Sequence, residues 1–146
     1  MIRKQLLRAI TMLLTAALLC TGGFAVHADD GIMPCNEIMT YRQLNFAITN
    51  GNAKLTCNFS ADESAFSYAK FTLKIQKKTL GFIWTTVDIG EPNNERTYYL
   101  YDCHTNFTAS YAINSTGTYR AVMKLEVVGY DGTTDSYEST QEYVYN

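Results

Sequence analysis

Residues 115–138 read STGTYRAVMKLEVVGYDGTTDSYE. Tyr119, Ala121, Met123, Leu125 and Val127 occupy every second position, and Arg120, Lys124 and Glu126 fall between them. A period of two is the repeat of an extended strand with one dry face and one wet face. Gly129, Asp131 and Gly132 then interrupt the run with residues that tolerate the backbone angles of a tight turn. On this reading the Tyr119-Arg120 pair belongs to the architecture rather than to a site.

The same rhythm extends in both directions. In AKFTLKIQKK, Ala69, Phe71, Leu73 and Ile75 point one way, and Lys70, Thr72, Lys74 and Gln76 the other. Upstream, LNFAI and AKLTCNF alternate on either side of the Asn-Gly turn in ITNGNA, with Leu55, Cys57 and Phe59 on the inner face. Downstream come FIWTTVDI, the polar loop GEPNNER, a short edge strand in RTYYLY, and NFTASYAI with Phe107, Ala109, Tyr111 and Ile113 inward. A last strand carries Tyr137, Tyr143 and Tyr145. About eight short strands, each with one polar and one apolar face, predict an all-β domain of two antiparallel sheets packed as a sandwich.

Gly117-Thr118-Tyr119-Arg120 resembles the corner of immunoglobulin-like and fibronectin-type-III-like sandwiches. The resemblance implies a hydroxyl of Tyr119 bonded to a backbone group a few residues upstream. It also implies Trp84 as the large aromatic closing the core, one strand later than the usual tryptophan. Two residues after Tyr119, where immunoglobulin domains carry a cysteine, stands Ala121, so Cys57 lacks that partner. The chain is also similar to small secreted proteins of Gram-positive bacteria with no assigned activity. The shared features are Leu73-Lys74-Ile75-Gln76-Lys77-Lys78, a tryptophan soon after, and the Gly-x-Tyr-Arg corner.

The amino terminus reads as an export leader. Arg3, Lys4 and Arg8 precede an apolar stretch from Ala9 to Cys20, and Val26-His27-Ala28 forms an A-x-A-like exit. The apolar stretch is shorter than the roughly 20 residues that span a bilayer. Cleavage is expected after Ala28, leaving one domain, 29–146, exported to the cell exterior. Leu19 before Cys20 is not the small residue usual in lipoprotein signals. Without the leader, nine basic residues face fourteen acids, a formal charge of −5. That balance disfavours nucleic acid and anionic membrane as partners.

Cys35, Cys57 and Cys103 remain. Cys57 alternates with core residues and reads as a small buried hydrophobe. In a sandwich of this topology the first and fifth strands run the same way. Cys35 and Cys103 precede them, which favours a Cys35–Cys103 bridge over Cys35–Cys57 or three free thiols. His104 is the single histidine beyond the leader, and adjacency on a strand separates it from Cys103. No phosphate-binding glycine loop, C-x-x-C or metal-ligand spacing occurs, so no cofactor and no metal are expected.

Asp88, Glu91 and Glu95 crowd one loop, with Asp131 and Asp135 flanking another turn. They read as turn chemistry, with calcium or a hydrolase pair on Asp88 and Glu91 as alternatives. The sequons at Asn58, Asn106 and Asn114 read as chance in a chain rich in Asn, Ser and Thr. Surface tyrosine remains: Tyr98, Tyr99 and Tyr101, with Tyr137, Tyr143 and Tyr145 on the last strand. Tyrosine offers large contact area at low rotamer cost. The expected function is therefore non-catalytic binding of a protein at the cell surface or in the medium. A carbohydrate module using Tyr98, Tyr99 and Tyr101 is the alternative.

Overall fold

A computed structural model describes residues 38–146. The leader, its cleavage site and Cys35 lie outside the described residues. Eight strands run in chain order: β1 (Met39–Thr49), β2 (Asn52–Ala61), β3 (Phe66–Thr79), β4 (Ile83–Thr86), β5 (Arg96–Leu100), β6 (His104–Ala112), β7 (Gly117–Gly129) and β8 (Thr134–Tyr145). They form two antiparallel sheets, one ordered β1-β2-β6 and the other β4-β3-β7-β8 with β5 also paired to β3. The molecule is a β-sandwich.

The period of two places the core where the sequence puts it. Phe71, Leu73 and Ile75 of β3 lie opposite Leu125, Met123 and Ala121 of β7, and all six are fully buried. Across the interior they meet Leu55, Cys57 and Phe59 of β2 and Leu44, Phe46 and Ile48 of β1. Each large apolar side chain so enclosed contributes roughly 1.5–3 kcal/mol.

At the start of β7 the Tyr119 ring is buried and its hydroxyl donates to the Ser115 carbonyl at 2.7 Å. Lys77 Nζ donates to Ser115 Oγ at 2.7 Å and lies 5.4 Å from the Tyr119 ring centroid. Gly117 reaches this corner at φ +145, where a side chain would strain the backbone.

The two sides of the sandwich are closed by side chains of different kinds. On one side β1 and β8 face each other as edge strands. The inward row of β8 is polar or aromatic: Asp135, Tyr137, Ser139, Gln141, Tyr143 and Tyr145. Gln141 accepts from Phe46 N–H at 2.9 Å and donates to the Leu44 carbonyl at 2.6 Å. Asp135 accepts from Met39 N–H at 2.9 Å. These side chains satisfy edge groups of β1 that no strand reaches. On the other side Tyr98 of β5 packs on Phe107 of β6 with ring centroids 4.6 Å apart. Its hydroxyl lies 2.9 Å from that of Tyr111.

Three expectations require correction. Trp84 does not close the core: it sits on the outer face of its sheet, opposite Lys78, because β4 pairs only the far end of β3, beyond the second sheet. The strand expected over FIWTTVDI shrinks to Ile83–Thr86, since β4 ends where β3 takes up β5 as partner. Tyr137, Tyr143 and Tyr145 are not surface display but pack against the core; Tyr143 stands edge-on to Phe46 at 6.3 Å.

Tyr119→Phe should lower stability by about 1 kcal/mol, the net value of one hydrogen bond, read from chemical denaturation. Gln141→Ala should cost more, about 2 kcal/mol, because it strands a buried donor and acceptor together on β1. Equal midpoints for Gln141→Ala and the parent chain would contradict the edge-sealing role.

Candidate functional site

Three surfaces remain once the core and seams are assigned, and they differ in chemistry. The outer face of the five-stranded sheet is charged. Lys70, Lys74 and Lys78 of β3 stand beside Arg120, Lys124 and Glu126 of β7. Half of them are in ion pairs: Lys74 with Glu95 at 3.1 Å, and Lys124 with Glu126 at 3.1 Å and Glu138 at 3.8 Å. At one end Trp84 has two cations over its ring, with Arg120 Cζ 4.4 Å and Lys78 Nζ 5.2 Å from the ring centroid. Gln76 accepts from Arg120 Nε at 2.7 Å and holds the guanidinium in place.

The tyrosine trio divides between two faces. Tyr98 pairs with Phe71 and points inward, whereas Tyr99 pairs with Lys70 and points outward. Tyr99 and Tyr101 are 56% and 75% exposed, and Tyr99 lies 6.1 Å from Tyr68. Alternation along β5 therefore rules out a platform of all three. Desolvation and the bond to Tyr98 hold the Tyr111 hydroxyl well above the usual phenol range.

The β3–β4 hairpin forms the second surface. Leu80, Phe82 and Ile83 are 81%, 75% and 44% exposed at its tip. Leu80 and Gly81 both adopt left-handed backbone, at φ +51 and +78, and Phe82 N–H donates to the Thr79 carbonyl at 3.2 Å. The β1–β2 turn uses nearly the same angles at Asn50 and Gly51, φ +51 and +71. There the left-handed position carries Asn, the residue suited to it. Leu80 stands in that conformation without the local hydrogen bonds that ease it for Asn, at a cost of about 1 kcal/mol. The sequence signal was available as apolar residues within a turn, Leu-Gly-Phe-Ile.

The third surface is the outer face of the three-stranded sheet, and it is nearly uncharged. Strand register builds it in rows: Tyr41–Ser60–His104, Gln43–Asn58–Asn106, and Asn45–Thr56–Thr108. Lys54, in the next row between Ala47 and Ser110, is the one charged group on these rows. Thr56 and Thr108 hydroxyls meet at 3.1 Å, and the Tyr41 hydroxyl donates to Gln43 Oε1 at 3.1 Å. A shallow depression of about 310 Å³ lies at one end, lined by Tyr41, Asn58, Ser60, His104 and Asn106 among others. Of these lining residues, Asn58 keeps its Oδ1 shut off from solvent with no hydrogen-bond partner.

The acidic loops are engaged locally. Glu91 accepts from Arg96 at 2.7 Å, and Asp88 accepts from Gly90 N–H at 2.9 Å. Asp131 accepts from Thr133 N–H and Oγ at 2.9 and 2.6 Å, bonds that hold its carboxyl below the usual range. Asp62 is lowered in the same way by Ser64. Among the described residues no cluster of three His, Cys, Asp or Glu side chains has metal-binding geometry. Cys103 packs partly buried against the core, while His104 is exposed on the opposite face. The amide of Ala61 donates to the Cys103 carbonyl at 2.8 Å, and that of Asp62 to the Ile38 carbonyl at 2.7 Å. The starts of β1 and β6 therefore flank the same end of β2. No family model matches the chain, and neither does any curated protein.

Among the described residues, Cys57 and Cys103 are not bonded to each other. Burial pushes the Cys57 thiol up to about 12. A raised value keeps it protonated, and so unreactive, through neutral and mildly alkaline pH. Alkylation at pH 8 should therefore leave Cys57 unmodified in the native state and label it only after denaturation, as peptide mass spectrometry will show.

Proposed function

We propose that this domain acts outside the cell as a non-catalytic binding module whose partner is a protein gripped by the β3–β4 hairpin tip. The observation that carries the reading is Leu80, held in a strained turn and almost wholly exposed beside Phe82 and Ile83. Packing gives no reason to keep leucine there, since Asn at the same angles serves the β1–β2 turn. Exposed apolar groups with a polar rim mark interaction sites, and phenylalanine is enriched at the core of protein–protein contacts. Behind the tip, Lys78 and Arg120 around Trp84 form a cationic collar suited to a partner with an acidic rim.

Export through an amino-terminal leader and kinship with immunoglobulin-like secreted proteins of Gram-positive bacteria belong to the same proposal. The bond from Tyr119 to Ser115 and the strand order support the immunoglobulin-like part of it, and the charged, then apolar amino-terminal sequence supports export. A Cys35–Cys103 bridge is part of it too, supported by the common end at which β1 and β6 begin. The local pairing of Glu91 and Asp88 supports binding over hydrolysis.

Leu80→Asn separates function from folding. It should raise stability by about 1 kcal/mol or less by relieving the turn, yet remove the partner. The readout is a photo-crosslinker at position 83, with the adduct identified from culture medium and cell-surface extract. A single protein adduct lost in Leu80→Asn and Phe82→Ser, and kept in Tyr99→Ala, is the expected result. Adducts indifferent to Leu80→Asn and Phe82→Ser, or flotation of the domain on lipid vesicles through the tip, would overturn the reading.

A further inference from the structure

The two outer faces of one small domain differ in a way that folding does not require. One is rich in charge, with Lys74 and Lys124 in ion pairs, the ordinary means of keeping a sheet soluble. The other presents Gln43, Asn45, Asn58 and Asn106 with hydroxyl neighbours, on rows where Lys54 is the one charge. Asparagine is depleted in strands because its side chain competes for local backbone groups. Three asparagines on neighbouring strands, one of them in the central strand β2, therefore weaken the sheet relative to Thr or Val at the same places. Asn58 adds a second penalty, since its Oδ1 is desolvated without a donor, a deficit usually worth about 1–3 kcal/mol.

We infer that the outer face of the β1-β2-β6 sheet is a binding site for a neutral oligosaccharide, centred on Tyr41, Asn58, Asn106 and His104. Tyr41 is half exposed at the rim, and a tyrosine ring offers a flat apolar surface to the C–H face of a pyranose. Its hydroxyl is fixed by Gln43, which limits the ring's freedom before any ligand arrives. Asn58 and Asn106 are directly opposed on β2 and β6, so their amides stand side by side. Each amide carries donors and an acceptor, the complement of vicinal sugar hydroxyls, which both donate and accept. The depression's volume, about 310 Å³, suits one or two sugar rings. Scarcity of charge selects neutral sugars, because an acidic glycan gains no cation here beyond Lys54, three rows from His104. This site is separate from the hairpin tip and stands or falls independently of it.

The test is titration calorimetry of the 29–146 chain against tetra- to hexasaccharides of glucose, xylose, mannose and N-acetylglucosamine, with oligogalacturonate as the acidic control. A mannose-rich glycoprotein, before and after enzymatic deglycosylation, separates a protein-borne glycan from a free polysaccharide. At least one neutral series should bind, and Tyr41→Ala, Asn58→Ala and Asn106→Ala should each weaken it about ten-fold or more. Tyr99→Ala and Leu80→Asn should leave the affinity unchanged, and denaturation midpoints will confirm that the face variants remain folded. Three results would overturn the inference. They are no binding to any neutral series below millimolar, binding unaffected by the Tyr41 and Asn58 variants, or preference for oligogalacturonate.

Discussion

The pairing of β3 with β7 runs from Phe66 opposite Gly129 to Lys77 opposite Tyr119, and everything else is arranged about it. Its inward row is apolar without interruption and covered by the three-stranded sheet. Its outward row is basic and threonine-rich, so the ladder has one orientation that avoids burying ammonium groups. With those strands fixed, β8 extends the sheet beyond β7 and β4 and β5 share the other flank of β3. The hairpin tip and the Trp84 cation stack follow from β3 outrunning the sandwich, because its last residues have β4 as a partner but no opposing sheet.

A sandwich of three strands against five leaves edges of unequal length, and the seams show how the mismatch is resolved. Beside β1 the inward positions of β8 carry Gln141 and Asp135, which bond to the backbone of β1 instead of entering the core. Beside β6 the filling is aromatic, with Tyr98, Phe107 and Tyr111 in contact. A backbone edge with free groups needs side-chain amide or carboxylate. A gap between sheets needs area. Five of the eleven tyrosines, Tyr98, Tyr111, Tyr137, Tyr143 and Tyr145, are spent on these seams, and Tyr41, Tyr99, Tyr101 and Tyr130 are the large exposed ones.

The proposed functions depend on departures from that economy. Leu80 holds backbone angles that Asn50 holds more comfortably, and Asn58 keeps an acceptor without a donor on a face where Thr would serve the sheet better. Both weaken the fold locally and gain nothing from packing. The tip is apolar and beside cations, while the amide face is polar and nearly neutral, so each suits a different class of ligand.

Strand number, the inward sets of β2, β3, β6 and β7 and the burial of Cys57 were legible in the sequence because alternation decides which residues face inward, whereas the corner at Tyr119 was legible through its resemblance to immunoglobulin-like sandwiches. The turn at Asn50-Gly51 was equally local. Trp84 was misplaced because alternation tells inside from outside only where a second sheet covers the strand, and the chain does not state where that cover ends. Tyr98 could have been separated from Tyr99 and Tyr101 by the period of two. The inward turn of Tyr137 and Tyr143 could not, since β8 reads polar on both faces until β1 is beside it. Asn58 and Asn106 lie 48 residues apart and become neighbours through register across strands. Periodicity along a chain is a local property and survives in one dimension. Which rows line up across strands, and which edges meet, are set by long-range pairing and exist only after folding.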